Sequence, residues 1–204
     1  MEKPQLIVFD LGGVLVDWNP RYLYRQLFTD EAAMERFLAE TCSPEWNAQQ
    51  DGARTFAAGT AELVARHPEQ RELIEAYFQR WPEMVSDAIG GTVDILRELL
   101  ATGQRVCALS NWSAETYPHA YARFDFLQWF EFAVISGQIG LMKPQREIFD
   151  YVLAKAGVRA EQCLFIDDAP GNVQAARSFG WQAIQFTTPE ALRAELTQRG
   201  LLVG

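Results

Sequence analysis

The stretch VFDLGGVLVD, Val8 to Asp17, decides how the rest of the chain is read. An apolar run from Leu6 to Phe9 drives into a carboxylate, Asp10, and two glycines, Gly12 and Gly13, follow one residue later. An unalternating apolar run of this length suits a strand buried on both faces, the kind found in parallel sheets. In open parallel sheets ligands bind beyond the carboxyl ends of the strands, so Asp10 stands where chemistry is placed.

Further runs of the same kind recur at RVCALS (105–110), FAVIS (132–136), CLFID (163–167) and QAIQF (182–186). Between them lie helical patterns, TVDILRELLATG at 92–103, REIFDYVLAKAG at 146–157 and NVQAARSFG at 172–180, each ending on a glycine stop. Strand and helix alternate from Thr92 onward, which predicts an α/β fold with a Rossmann-like, doubly wound parallel sheet. The interval from Trp18 to Asp87 breaks the rhythm with four amphipathic stretches, RYLYRQLF, EAAMERFLAE, TFAAGTAELVARH and RELIEAYFQRW, and no convincing strand. The reading is a discontinuous core, residues 1–17 and 88–204, with a helical cap subdomain, residues 18–87, inserted after the first strand.

The bulk composition agrees with one domain carrying an insertion. The chain has 204 residues, 49% of them apolar and 22% charged, with no low-complexity or disordered signature. Its net charge of −9 and lack of any Lys/Arg block argue against a nucleic-acid partner. Asp10 interrupts the first apolar run too early for a signal peptide or membrane span, so no membrane partner is expected. Cys42, Cys107 and Cys163 form no CxxC pair, and the last two sit in apolar runs as small buried hydrophobes, which points to a reducing cytoplasm.

The residues at the strand ends form one constellation: Asp10, Ser110 with Asn111, and Asp167 with Asp168. Lys143 in GLMKP joins them, since the residue before Pro144 is pushed out of the helical region and Pro144 is suited to open the next helix. Each has an ordinary reading by itself: a turn-forming or capping aspartate, a strand-to-turn serine, a solvated lysine. Together they put complementary charge in one row. Magnesium takes one or two carboxylates and leaves room for a substrate phosphate, and Asp10 and Asp168 are that pair. Ser110, the Asn111 backbone N–H and the Lys143 ammonium are placed to neutralise phosphoryl oxygens, so the chemistry suggested is phosphoryl transfer.

Here the sequence resembles the haloacid dehalogenase superfamily of hydrolases, in its capped subfamily I, over nearly the whole chain. FDLGGVLVD resembles the first motif, LSN at 109–111 the second, LMKP the third and FIDDAPGNVQAAR at 165–177 the acidic fourth. Four ordered motifs are specific where one would be weak. The resemblance implies that Asp10 is the nucleophile, forming an aspartyl-phosphate that water hydrolyses; with an ordinary pKa of about 3.9 it needs no base to ionise. It also implies Mg²⁺ held by Asp10, Asp168 and the Gly12 carbonyl, with Asp167 as an outer partner and Asn172 steadying the acidic loop. The substrate class is a small phosphorylated molecule.

Gly12 is the departure from the family pattern, which places a second Asp two positions after the nucleophile to protonate the leaving oxygen and activate water. General acid–base help contributes roughly 10² to 10⁴ in rate. Three readings follow. The enzyme favours good leaving groups, such as sugar 1-phosphates, or borrows a proton donor from water or the cap; sugar-phosphate phosphatases of the glucose-1-phosphate type have a similar DLGxV opening. Alternatively it is a metal-independent 2-haloacid dehalogenase, against which the Asp167–Asp168 pair argues by repelling a carboxylate substrate. The third reading is a non-catalytic binding relative.

Specificity is expected from the inserted helices, where Trp18, Tyr22, Trp46, Phe56 and Trp81 are candidate pocket walls, although core packing is the commoner role for such residues. Trp112 follows the Ser-Asn pair and is placed to edge the site; Arg54 is a candidate partner for substrate charge, with a solvated arginine the commoner role, His67 is read as a helix end and His119 as a surface residue. Gly90 and Gly91 are read as a hinge pairing with Asp17 and Trp18.

Overall fold

The computed structural model describes residues 3–203. In chain order the elements are β1 (Leu6–Phe9), β2 (Val16–Trp18), α1 (Arg21–Leu27), α2 (Glu31–Glu40), α3 (Pro44–Asp51), α4 (Phe56–Arg66), α5 (Arg71–Gln79) and β3 (Val85–Ala88). There follow α6 (Gly90–Ala101), β4 (Arg105–Ser110), α7 (Tyr117–Arg123), β5 (Ala133–Ile135), α8 (Ser136–Ile139) and α9 (Arg146–Ala156). The chain closes with β6 (Cys163–Asp167), α10 (Pro170–Ser178), β7 (Gln182–Gln185) and α11 (Pro189–Gln198).

Five strands form one parallel sheet in the order β5-β4-β1-β6-β7. β1 is central, with Phe9 level with Ala108 on one side and Ile166 on the other. Its residues are all buried because the two faces of the pleat meet different layers. Ile7 and Phe9 join the cluster that contains Ile95 and Leu99 of α6 and Leu192 and Leu196 of α11, while Leu6 and Val8 join Phe149 and Val152 of α9 and Val173 of α10. That two-sided burial is why the strands read as continuous apolar runs. The helices stop as their glycines require: Gly157 takes φ +67°, where a side chain would be strained, and its N–H closes α9 on the Leu153 carbonyl.

The sheet and its helices match the α/β expectation. The interval after β1 needs one correction, because strands do flank it: β2 and β3 pair antiparallel, Val16 with Ala88 and Trp18 with Val85, into a small ribbon. Neither run is long or alternating enough to read as a strand; they become one only because some seventy residues of helix return the chain to the same place. A fifth helix also appears there. α3, PEWNAQQD, buries only Trp46 and Gln50 and so carries no amphipathic stripe, but Ser43 caps it by accepting from Trp46 N and Pro44 opens it. A Cβ at Gly91 would meet the Pro189 side chain at 2.7 Å, so its smallness serves the packing of α6 on α11.

No helix among the described residues is long and apolar enough to cross a membrane. Cys42, Cys107 and Cys163 are all buried free thiols.

Candidate active site

β1, β4 and β6 lie side by side and end at the same level, so the sheet itself gathers Asp10, Ser110 and Asp167. The Asp10 Oδ1 accepts from Ser110 Oγ at 2.7 Å and from the Leu11 N–H at 2.7 Å. On its other oxygen, Oδ2, the Lys143 ammonium approaches to 2.9 Å and bridges to Asp167 Oδ2 at 2.7 Å. All four side chains are buried, Asp10 being the most accessible at 7% exposure. The carboxylate is thereby aimed by two donors and a cation, the preorganisation expected where charge must develop at a defined point.

Burial pushes the Asp10 carboxyl up, Lys143 draws it back down and Asp167 pushes it up again. Burial works against the Lys143 ammonium too, but Asp10 and Asp167 outweigh it and its pKa rises. Burial prevails at Asp10, whose carboxyl is pushed up to about 7, so the ordinary carboxylate value expected from the sequence does not hold there.

Lys143 precedes α9 on a loop, and Asn111 fixes its backbone from both sides: Asn111 Nδ2 donates to the Lys143 carbonyl and Lys143 N donates to Asn111 Oδ1, each at 2.9 Å. The Asn111 side chain therefore places the lysine. Asp167 is saturated, its Oδ1 accepting from Ala169 N at 2.8 Å and both oxygens accepting from Asn172 Nδ2 at 3.1 Å. Asp168 is exposed beside it, and oxygens of Asp10, Asp167 and Asp168 lie within 4.8 Å of one another, close enough to hold one metal ion. Burial, then the charge of Asp167, raises the Asp168 carboxyl, a repulsion that a cation relieves. Gly13 makes room for this group. Its φ is +75° and a Cβ would stand 2.5 Å from Asp168 Oδ2.

Gly12 and Asn111 also line a small cavity of about 80 Å³, together with Trp18, Asn47, Asp51, Trp81, Trp112 and Thr116. Trp18, Trp81 and Trp112 wall it as the sequence suggested. Trp46 and Phe56 instead pack in the helical core, edge to face against each other, and Tyr22 donates its hydroxyl to Asp17 at 2.8 Å. Arg54 is half-buried and donates to Gln50 and Glu62, each at 2.6 Å. His67 caps the end of α4 and His119 is exposed, as expected. Asn47, Asp51 and Thr116 escaped the sequence reading. Nothing in their local context separates them from ordinary polar helix and turn residues.

Residues 4–180 match the family of haloacid dehalogenase-like hydrolases, and the chain belongs to that family. It is 33% identical to the D-ribitol-5-phosphate phosphatase of Bacteroides thetaiotaomicron over 94% of this chain and 96% of that one. It is 25% identical to the fructose-1-phosphate phosphatase YqaB of Escherichia coli over 87% of this chain and 94% of that one. Among solved structures, a HAD-like hydrolase from Porphyromonas gingivalis shares the fold with a TM-score of 0.72 at 22% identity, covering 97% of this chain and 98% of that one. A Bacteroides thetaiotaomicron HAD enzyme in complex with magnesium and inorganic phosphate does so with a TM-score of 0.67 at 21% identity, over 91% and 95% of the two chains.

Proposed function

We propose that this hydrolase is a Mg²⁺-dependent phosphomonoesterase acting on a small, hydroxylated phosphorylated metabolite. The observation that carries the reading is the Asp10 carboxylate, held at 2.7 Å by Ser110 and 2.9 Å by Lys143 beside two further carboxylates. Asp10 attacks phosphorus, the leaving alcohol departs, and water releases phosphate from the aspartyl-phosphate. Ser110, the Asn111 backbone N–H and Lys143 bind the phosphoryl oxygens, and Asn111 and Asn172 position Lys143 and Asp167.

The donor set fits magnesium: hard carboxylate oxygens, and a glycine at 13 that leaves space for Asp168. Asp10, Asp168 and the Gly12 carbonyl would hold the ion, with the saturated Asp167 outside it. Bound there, it would neutralise charge on the phosphoryl group. The same acidic set disfavours a metal-independent dehalogenase, whose substrate is itself a carboxylate.

Residues 18–87 act as a cap over a core of residues 1–17 and 88–204. The sugar-phosphate and polyol-phosphate phosphatases among the relatives support a hydroxylated substrate, as does the cavity, where three indoles alternate with amide, carboxyl and hydroxyl groups. At about 80 Å³ the cavity is well below the roughly 300–1,000 Å³ of sites for drug-sized ligands, so the cap has to lift for such a molecule to enter.

The test is phosphate release from sugar phosphates, nucleotides and an aryl phosphate, with Mg²⁺ or chelator. Metal-dependent turnover abolished by Asp10→Asn is expected; turnover that survives either the chelator or the substitution overturns the reading.

A further inference from the structure

The cavity contains a carboxyl group for which the reaction above has no use. Asp51 is the last residue of α3, yet it lines the same space as Gly12 and Asn111. It is held there from several sides. Asn47 Nδ2 donates to its Oδ2 at 2.9 Å, and its backbone carbonyl accepts from Ser136 Oγ at 2.6 Å. That serine in turn accepts from Trp112 N at 2.9 Å, so Asp51 is tied to the loop that carries Asn111. The wall at Gly12 has room. A Cβ on Gly12 would find nothing within 4 Å, so the glycine leaves open space on this side of the cavity. A second sign that a polar group enters is Trp18, whose buried Nε1–H has no acceptor.

Resting on the phosphatase reading, we propose that Asp51, reaching in from the cap, is the general acid and base that Gly12 cannot be. In the first step Asp10 forms a bond to phosphorus, the P–O bond to the leaving group breaks with its electron pair going to that oxygen, and Asp51 gives the oxygen its proton. In the second, ionised Asp51 takes a proton from the attacking water, the acyl-phosphate bond breaks, and phosphate, the Asp10 carboxylate and protonated Asp51 result. The arrangement would couple chemistry to closure, since the acid arrives only when α3 is seated.

Burial pushes the Asp51 carboxyl up to about 7, against the pull of the Ser113 N–H, so both forms are present near neutral pH. The neighbours facing it are Asn47 on its own helix, Ser113 on the loop after β4 and Tyr77 of α5; Tyr77 is neutral, its own pKa driven up by burial, then by Cys42 and Asp51.

The experiment compares kcat/KM for an alkyl and an aryl phosphate in wild type, Asp51→Asn and the double variant Gly12→Asp/Asp51→Asn, normalised to the folded fraction from unfolding curves. Asp51→Asn should lower the alkyl value by roughly 10²–10⁴-fold and the aryl value far less, because a good leaving group needs little protonation. It should also remove the fall of the alkyl value as pH rises through about 7, and Gly12→Asp should restore much of the loss. Wild-type turnover with equal losses on both esters, or an unaltered pH profile, overturns the assignment of Asp51 alone. If wild type itself releases no phosphate from any ester, the phosphatase reading falls and this proposal with it.

Discussion

Ser136 Oγ donates to the backbone carbonyl of Asp51 at 2.6 Å, joining the first residue of α8, at the carboxyl end of the edge strand β5, to the last residue of α3 in the inserted helices. Ser136 is fully buried and also accepts from Trp112 N, so one hydroxyl fixes the distance between the loop after β4 and α3. Ser136→Ala should therefore destabilise the protein by about 1–3 kcal/mol, the cost of leaving a buried donor and acceptor unmade. Urea unfolding measures this, and hydrogen exchange should show faster opening at 47–52 than in β1.

Lys143 offers a sharper stability test. Its ammonium stands 2.9 Å from Asp10 and 2.7 Å from Asp167, both buried. Lys143→Met leaves two carboxylates with no cation between them and should cost about 3–5 kcal/mol at neutral pH without added metal. Denaturant titration reads it, and loss of phosphate release should accompany it.

Gly13→Ala should loosen the proposed metal site while Gly12→Ala leaves it intact. The first puts a Cβ 2.5 Å from Asp168 Oδ2 at a residue with φ +75°; the second meets nothing within 4 Å. Strain at such a position costs on the order of 1–3 kcal/mol. The rise in melting temperature caused by added Mg²⁺ should shrink in the first variant and persist in the second.

The pH dependence of stability follows from Asp51. Its folded pKa of about 7 lies above the ordinary carboxylate value of about 3.9, so the folded state holds the proton more tightly than the unfolded chain. The stability this group contributes is full below about pH 4 and is lost as pH rises to about 7. Asp10 shifts in the same direction, but it is present in both proteins, so the difference between wild type and Asp51→Asn isolates the one group. Urea unfolding at pH 5 and pH 8 should show a larger drop for wild type than for the variant.

If Asp10 is the proposed nucleophile, Asp10→Asn should reduce phosphate release on the order of 10⁴-fold or more, as loss of a nucleophile does elsewhere, while leaving the unfolding curve cooperative. Phosphate release at saturating substrate is the readout.

The sequence by itself determined the sheet and its row of strand-end residues. Apolar runs of four to six residues stopped by Asp10, Ser110 and Asp167 are local patterns, and a parallel sheet can align their ends in only one way. The four motifs therefore come together as their spacing suggests. The Lys143 bridge and the support from Asn172 then follow from short loops at the same edge. What surrounds Asp10 from above was decided only by the tertiary structure. β2 and β3 have no strand pattern until they meet, α3 has no amphipathic stripe, and Asp51 is a carboxylate at a helix end like many others. Its place in the same cavity as Gly12 arises when the returning helices bring α3 to Ser136, which bonds both Asp51 and Trp112, a contact between residues 85 positions apart that no local periodicity encodes.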